Sequence, residues 1–447
     1  MALALATSLA GAAQAGVRFT TLAAFGGTNG YDAQANLVQA GDGNFYGTTT
    51  YGGYAGGTNS NYGTLFRITP AGTLTSLFSF GSTNGSDPSS GLMQAQDGKL
   101  YGGSYSGGAI GGAVFQMTTN GVFTNLVSFS FATGWGPLSR LIQAFDGNLY
   151  GTTSLSFPGA GTVFRVTTNG SLVSLASFAT TNGAKPTGAL LQGADGYLYG
   201  TTFQGGTNGG YGTVFKAGTN GGLDSLVSFA STNGATPNGG LVWGLDGNLY
   251  GTTTGGGTAN VGTVFKVTTA GVLSSLYSFS TNGSGGYNPH AGLTLGADGK
   301  FYGTTYNGGS QTNGTIFSVT PDGNVSFLFS FTNQLTGGSP DAGLTVGTDG
   351  NFYGVTTTGG AQGYGTVFRI GVPMAPAAYA AAQVGNSFVC SWKAVAGQTY
   401  QPEFSTALDG TGWTSLGNPI LATNGTASVS DPLGANTQRF YRVHVLP

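Results

Sequence analysis

Residues 239–279 read GGLVWGLDGNLYGTTTGGGTANVGTVFKVTTAGVLSSLYSF, one copy of a unit that recurs seven times. The unit holds four short segments rich in β-branched and aromatic residues, separated by turn chemistry. The first, GLVWG, runs into Asp246-Gly247-Asn248. That is a hairpin signal, because Gly and Asn tolerate positive φ. NLYGTT follows, then a Gly-rich loop whose length varies between copies, then GTVFKVT, a further turn and a segment ending in Ser278-Phe279. Four antiparallel strands in such a unit make one propeller blade. No stretch shows the 3.6-residue period of a helical solenoid, and a parallel β-helix needs shorter coils.

Three markers keep the copies in register. The turn Asp recurs at Asp42, Asp97, Asp146, Asp195, Asp246, Asp298 and Asp349. The Phe of GTVFK recurs at 66, 115, 164, 215, 265, 317 and 368, and the Phe closing the fourth segment at 25, 80, 129, 178, 229, 279 and 331. The chain opens with a lone fourth segment, Leu22 to Phe25, and its last copy has none after Phe368. The opening strand is therefore expected to complete the last sheet, which removes an exposed edge. The expected fold is all-β: a seven-bladed β-propeller over 16–371, its last blade closed by the N-terminal strand. Both faces of each blade should pack on neighbours, and the Gly after each Tyr should admit the next blade.

Glycine supplies 85 of 447 residues and charged residues only 6%, against roughly 7% and 25% in ordinary chains. The 29 Phe and 21 Tyr exclude the disorder such a composition would otherwise suggest. A net charge of −2 with scattered Lys and Arg offers no basic stripe for nucleic acid. No apolar run reaches the ~18 residues of a membrane span. Residues 1–15, MALALATSLAGAAQA, are apolar and end in an Ala-Gln-Ala cleavage pattern, so a signal peptide and a secreted or cell-surface location are expected. The single cysteine, Cys390, alternates with apolar residues and reads as a small buried hydrophobe.

After Ile370 the repeat stops. Residues 372–384 read as an Ala/Pro linker and 385–447 as a small β-sandwich of alternating strands. A core that small is expected to dock on a larger partner, the propeller included.

The DGNLYGTT…GTVFKV…LxSF unit resembles the GloVer tandem-repeat family of exported bacterial proteins, over about residues 17–370. The resemblance implies export and a propeller-like array, and brings no catalytic motif. The tail, through Trp392, Gly397-Gln398-Thr399-Tyr400, Trp413 and Arg439-Phe440-Tyr441-Arg442-Val443, is similar to fibronectin-type-III-like modules.

Chemistry is sparse. Glu403 is the only Glu, and His290 and His444 are the only His. Metalloprotease, P-loop and nucleophile-elbow signatures are absent. Seven of the acidic residues are the repeated turn Asp, which a turn needs and catalysis does not. The unrepeated polar residues lie in the connections between blades: Asp32, Asp87, Arg140, Lys185, Asn238, His290 and Asp341, with Trp135 beside them. These eight form the candidate ligand-binding face. His290, Asp341, Asp32 and Asp87 would make an acidic arc with Arg140 and Lys185 opposite, although Asp beside Pro is also ordinary turn chemistry. Nearby loops carry Tyr51, Tyr54, Tyr62, Tyr105, Phe203, Tyr211, Tyr306 and Tyr364, rings that would stack on sugars or on one another. No motif calls for a cofactor; calcium is the one ion the acidic loops would suit.

Three functions follow as expectations. One is a binding module for a glycan or an extracellular protein. Another is a polysaccharide-acting enzyme built on Asp32, Asp87 and Asp341, since glycoside hydrolysis needs paired carboxylates. The third is a structural surface or matrix component.

Overall fold

The computed structural model describes residues 16–446 apart from 56–57, 60, 82, 109–110, 157–158, 283–284, 374–378, 386, 406–412 and 433–438. The expected signal peptide, 1–15, lies outside the described residues. The chain is all-β, built of four-stranded antiparallel sheets in a propeller-like repeat. Among the described residues no helix is long and apolar enough to cross a membrane.

In the third sheet, Ile142–Gln143, Leu149–Thr153, Thr162–Val166 and Leu172–Ser177 pair in chain order. Six sheets between residues 38 and 330 follow this plan. A further sheet joins Thr345–Val346, Phe352–Val355 and Thr366–Gly371 to Arg18–Ala24 at the other end of the chain. Arg18 pairs with Gly371 and Ala24 with Thr366, with a register shift between Thr21 and Ala23. The same irregularity sits between third and fourth strands elsewhere, for example at Val163/Phe164 and Val214/Phe215. Arg18–Ala24 thus copies the backbone of the fourth strands it stands in for.

Second and third strands are buried along almost their whole length, and fourth strands are only half-buried. Hydrophobic clusters span pairs of consecutive sheets. Tyr150, Val163 and Phe178 meet Leu198 and Phe215. Tyr353, Val367 and Phe25 of the last sheet meet Phe45, Phe66 and Ile68 of the first. A glutamine clasp repeats across these interfaces: Gln94 Oε1 accepts from Gly41 N at 2.8 Å, and Gln39 Oε1 from Thr348 N at 2.7 Å.

The repeated turn is locked by its own side chains. Asp146 Oδ1 accepts from Asn148 N at 3.0 Å, while Oδ2 accepts from Tyr150 Oη and Asn148 Nδ2, both at 2.8 Å. Each of the other six turn Asp accepts from the Tyr four residues later. The repeated Asp and Tyr therefore serve the hairpin. Burial would raise the Asp146 carboxyl, but the hydrogen bonds of Asn148 and Tyr150 and the charge of Arg165 outweigh it and hold it below its ordinary value.

Two expectations need correction. The Gly after each Tyr does not admit the next blade. A Cβ on Gly151 would lie 2.7 Å from Phe164 Cζ and 2.7 Å from Leu141 Cδ2, and Phe164 is its cross-strand partner in the same sheet. The Phe ring lies over the bare glycine, a packing that restores apolar cover to a strand position without a side chain. The linker is also shorter than 372–384. Tyr379–Val384 is a strand, paired along its length with Ser387–Lys393.

In the tail, Tyr379–Val384 and Thr426–Pro432 flank Ser387–Lys393, while Thr399–Ser405 pairs with Phe440–Leu446 and two short strands. Trp392, Tyr400, Ala422 and Val443 form its small core. Val395 packs into the cluster of the last two repeat sheets, and Ala396 N donates to Asp349 O at 2.6 Å. The tail is seated on the last repeated turn.

Candidate functional site

The connections between sheets position the site, and their backbone sets its registers. Asp32, Asp87, Lys185, Thr236, Asn288 and Ser339 all have φ between 50° and 58°, and Gly136 has φ 68°. Each carbonyl accepts from a backbone N–H just past a second strand: Asp32 from Thr50, Asp87 from Tyr105, Lys185 from Phe203, Thr236 from Thr254, Asn288 from Tyr306. These are equivalent positions, and left-handed backbone explains the short polar residues found at most of them. In six copies proline follows.

The residue two places after that position faces a central cavity. Gln34, Ser89, Leu138, Thr187, Asn238, His290 and Asp341 all line this space of about 520 Å³. Two places further on, the equivalent residues are Asn36, Gly91, Arg140, Ala189, Gly240, Gly292 and Gly343. Asn36 Oδ1 is committed to Gly343 N at 2.8 Å. The glycines there are steric: a Cβ on Gly292 would lie 2.4 Å from the Gly240 carbonyl.

The eight expected residues therefore fall into separate registers. Asn238, His290, Asp341 and Arg140 come together in the cavity wall. Asp32, Asp87 and Lys185 occupy the left-handed position outside it. Trp135 makes a backbone bridge to Leu155 and an edge contact with Phe131, 5.2 Å between centroids, away from the cavity lining. The expected acidic arc is corrected accordingly. Of Asp32, Asp87 and Asp341, only Asp341 lines the cavity. Among the described residues, no three His, Cys, Asp or Glu side chains gather as a metal site requires.

His290 Nδ1 and Asp341 Oδ1 are 2.5 Å apart, and the imidazole stacks on Tyr306 with centroids 4.5 Å apart. Asp32 accepts from Gln34 Nε2 at 2.8 Å. Burial raises the Asp32 carboxyl above its ordinary value; the Gln34 hydrogen bond opposes this and the Asp341 charge adds to it. Burial alone raises Asp87. Burial lowers the Arg140 guanidinium from its ordinary value.

Sequence reasoning missed Gln34, Ser89, Leu138 and Thr187. Alignment on the proline of each connection, at 88, 137, 186, 237, 289 and 340, would have found all but the first. It also missed Tyr31, whose ring lies 5.5 Å from Tyr51 and 5.3 Å from Tyr364 and whose hydroxyl donates to Asn61 Oδ1 at 2.8 Å. Tyr51 and Tyr364 are exposed, so these rings both contact one another and present a surface.

The Gloeobacter/Verrucomicrobia repeat model matches residues 9–154, 109–296 and 276–381. No curated protein matches the chain. Among solved structures, the chain is similar to an extracellular domain of a hybrid two-component system from B. thetaiotaomicron, with TM-score 0.51 and 11% identity over 96% of this chain. It spans 55% of the length of that protein. A luciferin-regenerating enzyme matches with TM-score 0.42 and 11% identity over 80% of this chain and 96% of its own. A functionally unknown protein from Desulfotomaculum acetoxidans matches with TM-score 0.42 and 14% identity over 67% and 86%. At such identities the likeness concerns fold alone.

Proposed function

The chain belongs to the Gloeobacter/Verrucomicrobia repeat family, and from that premise we propose that it is an exported, seven-bladed β-propeller that binds a glycan through its central cavity. Support for the closed ring comes from the last sheet, which meets the first through the same kinds of contact as join sheets elsewhere. The cluster around Phe25 and Phe66 and the Gln39 clasp have direct counterparts around Phe178 and Phe215 and at Gln94. The tail is read as a β-sandwich. Export is read from the apolar N-terminus with its Ala-Gln-Ala motif.

One observation carries the binding reading. Turn Asp, Tyr and core Phe repeat seven times because the architecture requires them, yet the cavity-facing position holds a different residue in every copy: Gln34, Ser89, Leu138, Thr187, Asn238, His290 and Asp341. A ring needs no such asymmetry, whereas an asymmetric ligand does. Amides, hydroxyls and one His–Asp pair suit a hydroxyl-rich solute, with precisely placed polar groups setting its orientation. The hydrolase alternative needs two carboxylates at the scissile bond, and among Asp32, Asp87 and Asp341 the cavity lining offers one.

The test is titration of the purified chain with a panel of mono- and oligosaccharides by calorimetry. Saturable binding that weakens at least about tenfold in Asn238→Ala and His290→Ala, as loss of a buried polar contact implies, is the expected result. No binding across the panel, or binding indifferent to both substitutions, would overturn the reading.

A further inference from the structure

Among the described residues, Arg140 is the one charged residue of the cavity wall without a protein partner. Among the described residues, no hydrogen bond, ion pair or ring contact reaches its guanidinium. Of the acids at the connections, Asp341 is paired with His290 and Asp32 with Gln34. Its own ring explains how such a long side chain is accommodated. Of the six equivalent positions, four are Gly and one is Ala, and the sixth, Asn36, is bonded to Gly343. Room is therefore left for Arg140 where most other copies contribute only backbone. The side chain is partly buried, so a cation without a counter-charge there carries part of the desolvation cost of burial, and burial accordingly lowers its affinity for the proton. The chain tolerates here what its own turns avoid.

We propose that the cavity binds a carboxylate-bearing sugar, a uronic acid or the uronate end of a glycan, with Arg140 holding the carboxylate and the His290–Asp341 side taking the hydroxyls. The proposal rests on the glycan reading above and specifies its ligand. The guanidinium presents a planar fork of donors that matches a carboxylate with two parallel hydrogen bonds. A single negative charge is favoured over a doubly charged phosphate. One Arg supplies one positive charge, and Asp341 and Asp32 stand near enough to repel each other. The volume of about 520 Å³ lies within the roughly 300–1,000 Å³ of small-molecule sites.

The experiment titrates the full chain with glucuronate, galacturonate, glucose and galactose, and repeats this for Arg140→Gln, Arg140→Lys and Lys185→Gln. The wild type should bind a uronate about tenfold or more tighter than its neutral counterpart, as a charge-assisted hydrogen bond implies. Arg140→Gln should abolish that preference, and Arg140→Lys, which keeps the charge but not the fork, should retain part of it. Lys185 is exposed and outside the cavity lining, so Lys185→Gln should bind as the wild type does. An unchanged far-UV spectrum and melting temperature in Arg140→Gln establish that it folds. Equal binding of neutral and acidic sugars, or a uronate preference that survives Arg140→Gln, overturns this proposal and leaves the glycan reading standing. Binding of none of the four sugars, with none across the wider panel, overturns both.

Discussion

Replacing Phe25 by Ala tests the closure of the ring at a single side chain. Phe25 is fully buried between the last and first sheets, with its ring 5.2 Å from that of Phe66. Phe178 is its counterpart inside an unbroken stretch of chain, 1% exposed and 4.9 Å from Phe215. The backbones agree as well: Phe25 N donates to Gly365 O at 3.0 Å and Phe178 N to Gly161 O at 2.9 Å. Truncating a buried Phe to Ala costs about 3–5 kcal/mol, the lost transfer energy plus the cavity left behind. If Arg18–Ala24 is as integral as any other fourth strand, Phe25→Ala and Phe178→Ala should fall in the same range. The exposed Phe145, truncated as a control, should change stability by under about 0.5 kcal/mol. Urea unfolding of all three, followed by fluorescence and far-UV circular dichroism with coincident transitions required, gives the values. A cost below about 1 kcal/mol for Phe25→Ala beside a full cost for Phe178→Ala would mean that the terminal strand contributes little to the ring, and the argument from matched packing would fail.

Other consequences follow from the same contacts. Tyr150→Phe removes a hydrogen bond to a carboxylate inside the repeated turn and should cost about 1.5–3 kcal/mol; a neutral result in the same urea assay would make the Asp–Tyr pair incidental. Gly151→Ala drives a Cβ against Phe164 and Leu141 and should cost about 1–3 kcal/mol through overpacking, whereas a stabilised variant would show that the ring can move aside. Acid should weaken the fold through Asp42, Asp146 and Asp246, whose carboxyls are held below their ordinary value of 3.8. A lowered folded value gives stability present above the unfolded value and lost as pH falls through the folded one. Melting temperature should therefore drop below about pH 4, and less steeply in a variant with all three changed to Asn; parallel pH profiles would refute the assignment.

What was legible in the sequence is what recurs. Asp146-Gly147, the buried Tyr150 and Phe164 are local demands of a hairpin and of a strand packed on both faces, so each copy repeats them and the period exposes them. The strand missing from the last copy, present before the first, was readable for the same reason. The cavity was not. Asp32 and Asp341 look alike in sequence as acids near a blade connection, but they stand two residues apart in register, and with side chains alternating in direction no spacing rule separates them without the left-handed residue and its carbonyl partner. The Gly after each Tyr was misread because its steric neighbour, Phe164, lies 13 residues along the chain and across the sheet. By itself the sequence determined the repeat, its turns and its all-β character, since these arise from residues close along the chain. Only the tertiary structure decided which polar residues share a cavity and which cation is left unpaired there, because those relations hold between side chains brought inward from separate sheets.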